Sequence, residues 1–114
     1  MPKLSAPKDL SDQALELIAR RFKALSEASR LKLIHALRAG ELTVSELVGE
    51  TGLTQANTSR HLQVLIDSGI LQRRKEGLNV YYAIADKGIF ELCETVCGSV
   101  QQRLGRHVRA FNGG

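Results

Sequence analysis

Residues 53–69 read LTQANTSRHLQVLIDSG and combine two different surfaces on one helix-length segment. On a helical wheel, Thr58, Leu62 and Leu65 fall on one face, a pattern typical of a helix packed against a core. The opposite face carries small, amide and cationic side chains, among them Asn57 and Arg60. In the major groove of DNA, Arg pairs with guanine, Asn or Gln pairs with adenine, and Ala contacts the thymine methyl. This face therefore predicts a helix that reads DNA.

A solvated helix surface is the alternative interpretation of this face. Solvated helices usually carry Glu and Lys pairs, however, and this segment has no acidic residue before Asp67. Thr54 is placed to cap the helix, and the free N–H groups of its first turn suit a phosphate. The residues of this segment predicted to contact DNA are Thr54, Gln55, Ala56, Asn57, Ser59, Arg60, His61 and Gln63.

The segment before this helix predicts a second, shorter helix. Thr43 and Glu46 form a Thr-x-x-Glu capping box, and Gly52 is placed to end the helix. Only Gly52, Leu53 and Thr54 separate the two helices. Two short helices joined by a glycine-containing turn of this length are typical of a helix-turn-helix.

After Gly69 the pattern changes to alternation. Residues 70–76 (ILQRRKE) and 79–85 (NVYYAIA) are rich in β-formers and predict a β-hairpin. An isolated two-stranded ribbon is not stable, so the hairpin must pack beside the helix-turn-helix as a wing. Basic residues on a wing can follow the phosphate backbone, although Lys and Arg also protect edge strands from aggregation. The wing residues predicted to contact DNA are Arg73, Arg74, Lys75 and Asn79.

Helical periodicity flanks this unit on both sides. A first helix is predicted over about 11–25, and a second over 26–40, with Ser26 or Ser29 as its cap and Gly40 at its end. A long last helix is predicted from Asp86. The inner face of the second helix is predicted to consist of Ala28, Leu31, Ile34 and Leu37.

The resulting fold class is mainly α with a small β-hairpin, a winged helix-turn-helix in the order α-α-α-α-β-β-α. Residues 1–10 are expected to form a flexible arm, and 11–112 a single DNA-binding and dimerisation domain.

Composition agrees with one soluble domain. The 114 residues are 43% hydrophobic and 25% charged, with a net charge of +4. No apolar run is long enough for a membrane span and the N-terminus is too polar for a secretory signal, so a cytoplasmic protein without membrane contact is expected. No Ser-His-Asp or paired-carboxylate arrangement suggests a hydrolytic enzyme.

Three stretches together resemble the ArsR family of bacterial transcriptional repressors: FKALSEASRLKLIHAL (22–37), residues 41–71, and RRKEGLNVYYAIA (73–85). The resemblance implies a homodimer, formed through the first and last helices, that binds palindromic operator DNA. It also implies that the protein releases DNA when a metal, a metalloid or a thiol-reactive species binds or modifies it. The reading helix of the family corresponds to 54–66 and its wing to 71–83.

The sequence departs from the family at two inducer sites. Many members have Glu-Leu-Cys-Val-Cys-Asp-Leu where this chain has Thr43 and Ser45 in place of both cysteines. A hydroxyl does not supply the thiolate that soft metals prefer. Another branch binds metal through an Asp-x-His near the start of the last helix, whereas this chain has Asp86 followed by Lys87 and Gly88. Both metal sites are therefore expected to be absent, and no cofactor is expected to be required.

Cys93 and Cys97 are the only thiols in the sequence. At i,i+4 on a helix their Cβ atoms would be about 5–6 Å apart, against about 3.5–4.5 Å in a disulfide. A disulfide between them would require unwinding, whereas a thiophilic metal, arsenite or a polysulfide could bridge them, and each could also cross to a partner helix. Both cysteines equally suit packing in a dimer seam, since Cys behaves as a small hydrophobe.

Two other functions remain open from the sequence. A thiol-disulfide redox protein could use the cysteine pair, although Cys-x-x-x-Cys without a βαβ context is unusual for one. A winged helix could also bind a protein instead of DNA.

Overall fold

The computed structural model describes residues 10–105, which form five α-helices and a three-stranded antiparallel sheet. The predicted winged helix-turn-helix order is confirmed, with a 3-10 turn and a short first strand in addition. The elements are α1 (Asp12–Ala24), α2 (Ala28–Ala36), a 3-10 turn (Leu37–Ala39), β1 (Leu42–Thr43), α3 (Val44–Thr51), α4 (Gln55–Asp67), β2 (Leu71–Glu76), β3 (Asn79–Ile84) and α5 (Gly88–Leu104).

The ends of the helix-turn-helix are fixed by local hydrogen bonds, as the sequence predicts. The backbone N–H of Thr43 donates to Oε1 of Glu46 at 2.9 Å, and the backbone N–H of Glu46 donates back to Oγ1 of Thr43 at 3.2 Å. Gly52 ends α3 with φ +76°, a left-handed conformation that favours glycine. The backbone N–H of Asn57 donates to Oγ1 of Thr54 at 3.1 Å, which starts α4. The capping box and the glycine turn are confirmed.

The start of α2 differs from the prediction. Glu27 occupies the N-cap position without a side-chain cap, and the Ser26 hydroxyl donates to the carbonyl of Lys23 at the end of α1. Neither Ser26 nor Ser29 caps α2. The predicted inner face is also partly wrong, because Ala28 and Leu31 are exposed whereas Ile34 and Leu37 are buried.

The core lies between α2, α3, α4 and the sheet. Thr58, Leu62 and Leu65 of α4 are completely buried, as the wheel predicts. One side of the reading helix is therefore committed to packing, which fixes the side that it presents outward. The buried apolar residues are Ala24, Leu33, Ile34, Leu37, Leu47, Leu62, Leu65, Ile70, Leu71, Ile84 and Ile89.

The sheet has the strand order β1-β3-β2. In the hairpin, Leu71 pairs with Ile84 and Glu76 pairs with Asn79, and the two-residue loop turns at Gly77, whose φ is +62°. The first strand, which the sequence did not predict, pairs Leu42 with Tyr82. This pairing attaches the hairpin to the chain segment that precedes α3.

Parts of three predictions lie outside the described residues. These are the arm over 1–10, apart from exposed Leu10, the domain boundary at 112, and the last helix after 105. Within residues 10–105 no helix is both long and apolar enough to cross a membrane.

Candidate nucleic-acid interface

The outward side of α4 is polar and open. Gln55, Ala56, Asn57, Ser59, Arg60 and Gln63 are all exposed. The Arg60 guanidinium donates to Oδ1 of Asn57 at 3.0 Å, so the two side chains are held together at the front of the helix. Further along, Nε2 of Gln63 donates to Oδ1 of Asp67 at 2.8 Å. The face therefore presents amide, guanidinium and methyl groups in the first two turns of the helix.

The start of α4 adds a second feature. The exposed Thr54 side chain caps the helix, while Thr58 Oγ1 donates to the Thr54 carbonyl at 2.7 Å. The first N–H groups of a helix have no partner within it and carry a partial positive charge. This end of α4 is therefore suited to an anion such as a DNA phosphate.

The prediction that His61 contacts DNA is wrong, because its ring is buried with 3% exposure. Nδ1 of His61 lies 3.2 Å from NH1 of Arg30. Since a guanidinium can only donate, Nδ1 must accept, and the imidazole is neutral with its proton on Nε2. Burial lowers the pKa of His61, and the nearby charge of Arg60 lowers it further.

Arg30 is a residue that the sequence reading missed. It is 7% exposed, and its Nε donates to the Ala24 carbonyl at 2.6 Å while NH2 donates to the Lys23 carbonyl at 3.2 Å. It also forms a salt bridge with Glu27 at 3.1 Å. Through Arg30 the end of α1, the start of α2 and the middle of α4 share one side chain.

The spacing of the sequence held a signal for both buried polar residues. Arg30 stands at i to Leu33, Ile34 and Leu37 at i+3, i+4 and i+7. His61 stands at i+3 from Thr58 and at i−4 from Leu65. These are the intervals of one helix face, so both residues belong to buried faces despite their polarity.

The hairpin divides its basic residues between two faces of the sheet. Arg73 and Lys75 share the face of buried Leu71, where they adjoin Val80 and Tyr82. Among the described residues neither forms a salt bridge. Their charges therefore remain available to a polyanion, and Asn79 is exposed at the strand start that follows the tip.

Arg74 points to the opposite face and is already engaged. Its Nε donates to Oε2 of Glu41 at 2.9 Å, it forms a second ion pair with Glu76, and its guanidinium lies 4.6 Å from the centroid of the Tyr81 ring. The hydrogen bond from Arg74 lowers the pKa of Glu41. In contrast to the predicted phosphate contact, Arg74 clamps the wing to the segment before β1.

The wing and the reading helix are joined through the backbone. The Ile70 N–H donates to the Leu65 carbonyl at 3.0 Å, and the Ile70 carbonyl accepts from the Ala85 N–H at 2.9 Å. Arg21 of α1 adds a side-chain link, since its NH2 donates to the Ser68 carbonyl at 3.0 Å and its NH1 pairs with Asp86. The end of α4, the hairpin base and the start of α5 are therefore positioned together.

Cys93 and Cys97 are free thiols on α5 and both are partly buried. They face an apolar cleft of about 370 Å³ between α1, α2 and α5. Burial raises the pKa of the Cys93 thiol. Within residues 10–105 no group of three or more His, Cys, Asp or Glu side chains is placed to hold a metal ion. The remaining residues lining the cleft are Phe22, Leu25, Leu31, Leu92, Val96 and Val100.

Helices α1 and α5 also expose an unusual amount of apolar surface in the single chain. Large apolar patches on a folded protein usually mark an interaction surface. Their exposed apolar residues are Leu15, Leu17, Ile18 and Phe22 on α1, and Val96, Val100 and Leu104 on α5.

Comparisons with known proteins agree with this geometry. The family described as "Bacterial regulatory protein, arsR family" matches residues 27–73. The chain is 39% identical over 90 residues to the cadmium resistance transcriptional regulatory protein CadC homolog of Staphylococcus aureus, covering 78% of this chain and 74% of the relative. It is 31% identical over 96 residues to the transcriptional repressor SmtB homolog of Synechocystis sp., covering 84% and 73%. These names are those of transcriptional regulators and not of enzymes.

A solved structure is similar over most of the chain. The solution structure of the homodimeric winged helix-turn-helix DNA-binding domain Mb0332 from Mycobacterium bovis matches with a TM-score of 0.73 and 31% sequence identity. The match covers 86% of this chain and 94% of that domain.

Proposed function

Because the chain belongs to the ArsR family of bacterial regulatory proteins, we propose that it is a homodimeric transcriptional repressor that binds operator DNA. The observation that carries this proposal is the two-sided reading helix. One side of α4 is fully buried through Thr58, Leu62 and Leu65, and the other side exposes a capped, polar front. A helix held in this way can enter the major groove without rearranging its own core.

In this proposal the contacts divide into two kinds. Asn57 and Arg60 at the front of α4 reach base edges, where bidentate amide and guanidinium contacts discriminate adenine and guanine. The N-terminus of α4 and the free cations Arg73 and Lys75 bind phosphates, which sets position and affinity without reading sequence. The remaining exposed candidates are Gln55, Ala56, Ser59, Gln63 and Asn79.

The partner is a second copy of this chain. The exposed apolar surfaces of α1 and α5 are the surface that a twin would cover, and the similar Mycobacterium bovis domain is homodimeric. A twofold pair reads a palindromic operator with half-sites about 34–36 Å apart. Such a regulator works on the bacterial chromosome, which places it in the cytoplasm.

Cys93 and Cys97 are proposed as the inducer site. They line the cleft between both dimer helices and α2, and α2 holds the reading helix through Arg30 and His61. A thiophilic metal, a metalloid or reactive sulfur bound there would act on the elements that position α4. The regulator names of the relatives, which include cadmium resistance, accord with such a stimulus.

A salt titration of DNA binding tests the interface. Duplexes selected from a random library would serve as operators, with fluorescence anisotropy as the readout. We expect Arg60→Ala to weaken binding by about 1–3 kcal/mol and to lose discrimination at one base pair, whereas Lys75→Ala weakens all sequences evenly and reduces the salt slope by about one. Lys32→Ala, which removes an exposed cation from α2, is the matched control. Unchanged binding in both interface variants would refute the assignment.

The inducer site is tested on the same duplexes. Operator affinity of Cys93→Ser and Cys97→Ser would be measured with and without arsenite, cadmium and polysulfide. We expect DNA release in the wild type and its loss in both variants. Equal release in wild type and variants would remove the cysteine pair from the mechanism.

A further inference from the structure

The cysteine pair lies in a setting that selects among thiophilic ligands. The full sequence contains two cysteines, and both face the same apolar cleft. No third side chain of metal-binding type completes a cluster with them in residues 10–105. Soft metal sites in proteins usually need three or four ligands. One chain therefore offers two soft donors in an apolar setting.

We propose that Cys93 and Cys97 bind a trivalent arsenical that carries one organic substituent, and that this substituent occupies the apolar cleft. This inference rests on the proposed inducer role of the pair and specifies its ligand class. Inorganic arsenite has three exchangeable hydroxyl groups, so two thiols leave one position unsatisfied. An arsenical of the form R–As(OH)₂ has two exchangeable hydroxyls, which matches the two thiols of one chain.

The spacing of the thiols fits a bridge of one atom. On a regular helix the Cβ atoms at i and i+4 are about 5–6 Å apart, which exceeds the separation in a disulfide. Insertion of one atom between the sulfurs spans this gap while α5 keeps its helical backbone, which runs unbroken through Cys93 and Cys97.

The walls of the cleft suit the organic group. Phe22, Leu25 and Leu31 lie on the side of α1 and α2, and Val96 and Val100 lie beside the thiols on α5. The volume of about 370 Å³ is within the usual range of small-molecule sites and accommodates a methyl or a phenyl group. Each buried methylene-sized group raises affinity about fourfold, so a phenyl group is expected to exceed a hydroxyl by at least about tenfold.

The binding step needs no oxidant or reductant. Two As–S bonds form and two As–O bonds break, and each thiol proton leaves with a hydroxyl group as water. Arsenic remains trivalent and both sulfurs keep their oxidation state. The product is a cyclic dithiolate in which the third bond of arsenic, to carbon, points away from the two sulfurs.

The test uses the full-length protein and three probes: phenylarsine oxide, methylarsonous acid and sodium arsenite. Intact-protein mass spectrometry and thiol titration would report arsenic per chain and the loss of free thiols. We expect one arsenic per chain with both thiols consumed, and competition favouring phenyl over methyl and both over arsenite. Cys93→Ser and Cys97→Ser should each give no adduct that survives a monothiol wash.

A matched pair of leucine variants tests the cleft itself. Leu31→Asn places an amide in the cleft wall and should reduce the preference for phenyl over arsenite about tenfold. Leu78→Asn, at the hairpin tip where Leu78 is 99% exposed, should leave the preference unchanged. Equal affinity for arsenite and phenylarsine oxide, or one arsenic per two chains, would overturn the inference.

The readouts separate this inference from the proposed function. Adduct formation is measured without DNA. An adduct that forms as described but leaves operator binding unchanged supports the ligand assignment and contradicts the inducer role. Release of DNA by arsenite alone supports the inducer role and contradicts the ligand assignment.

Discussion

The contact between Arg30 and His61 leads to a quantitative prediction, for which the substitution is Arg30→Met. Methionine keeps an unbranched apolar stem of similar length and removes only the guanidinium. The change deprives the Ala24 carbonyl and His61 Nδ1 of their buried hydrogen bonds, and the Lys23 carbonyl of a partly buried one. It leaves the apolar core residues in place.

The expected cost follows from the number of buried acceptors. A buried acceptor that loses its partner costs about 1–3 kcal/mol. Two such acceptors, with a smaller contribution from the partly buried carbonyl, give about 3 kcal/mol. For a domain of this size that loss corresponds to a decrease in melting temperature of about 15 °C.

The assay is thermal and urea unfolding at one fixed protein concentration, because dimerisation makes apparent stability concentration-dependent. Lys32→Met is the control, since it removes an exposed cation from the same helix and should change stability by less than about 0.5 kcal/mol. Operator binding is measured below the transition, where we expect weaker binding because α4 loses a contact that sets its orientation. If Arg30→Met is no more destabilising than Lys32→Met, the network does not hold α4.

Three further predictions concern the reading helix and the turn before it. Since burial lowers the pKa of His61 below its value of about 6.5 in the unfolded chain, the unfolded state protonates first and stability should fall as pH drops below about 6.5; His61→Gln should flatten this part of the pH profile measured by urea unfolding. Gly52→Ala should destabilise by about 1 kcal/mol because its φ is +76°, whereas Gly49→Ala inside α3, with open space around it, should stabilise by about 0.5–1 kcal/mol; opposite signs in denaturant unfolding are required. Thr54→Val should lose about 1 kcal/mol of cap stability, and unchanged unfolding would show that its hydroxyl does not cap α4.

Features that depend on near neighbours were predictable from the sequence. Thr43, Gly52 and Thr54 each act on backbone within about four residues, so their spacing alone determines the ends of α3 and α4. The alternation around Gly77 likewise fixes the register of the hairpin, from Leu71 opposite Ile84 to Glu76 opposite Asn79. These local rules place the exposed front of α4 with few alternatives.

Features that depend on distant partners were not predictable in the same way. Arg30 and His61 are 31 residues apart, and each would be costly to bury without the other. Read singly, both are expected on the surface. Strand β1 has two residues, which is too short for any periodicity, and its existence depends on pairing with Tyr81 and Tyr82. The division of Arg73 and Arg74 between opposite faces was implied by alternation, but the engagement of Arg74 depends on Glu41.

The clamp around Arg74 has a consequence for the thermodynamics of DNA binding. By reaching across β3 to Glu41, Arg74 sets the tilt of the hairpin in the free protein, so hinge entropy is lost when the chain folds and not when it meets the duplex. The clamp is exposed, and dissolved ions therefore weaken it. Added salt consequently acts twice, once by competing with Lys75 for phosphates and once by loosening the wing. The salt slope of the wild type then overcounts the phosphates contacted, and the slope of an Arg74→Ala variant gives the smaller number.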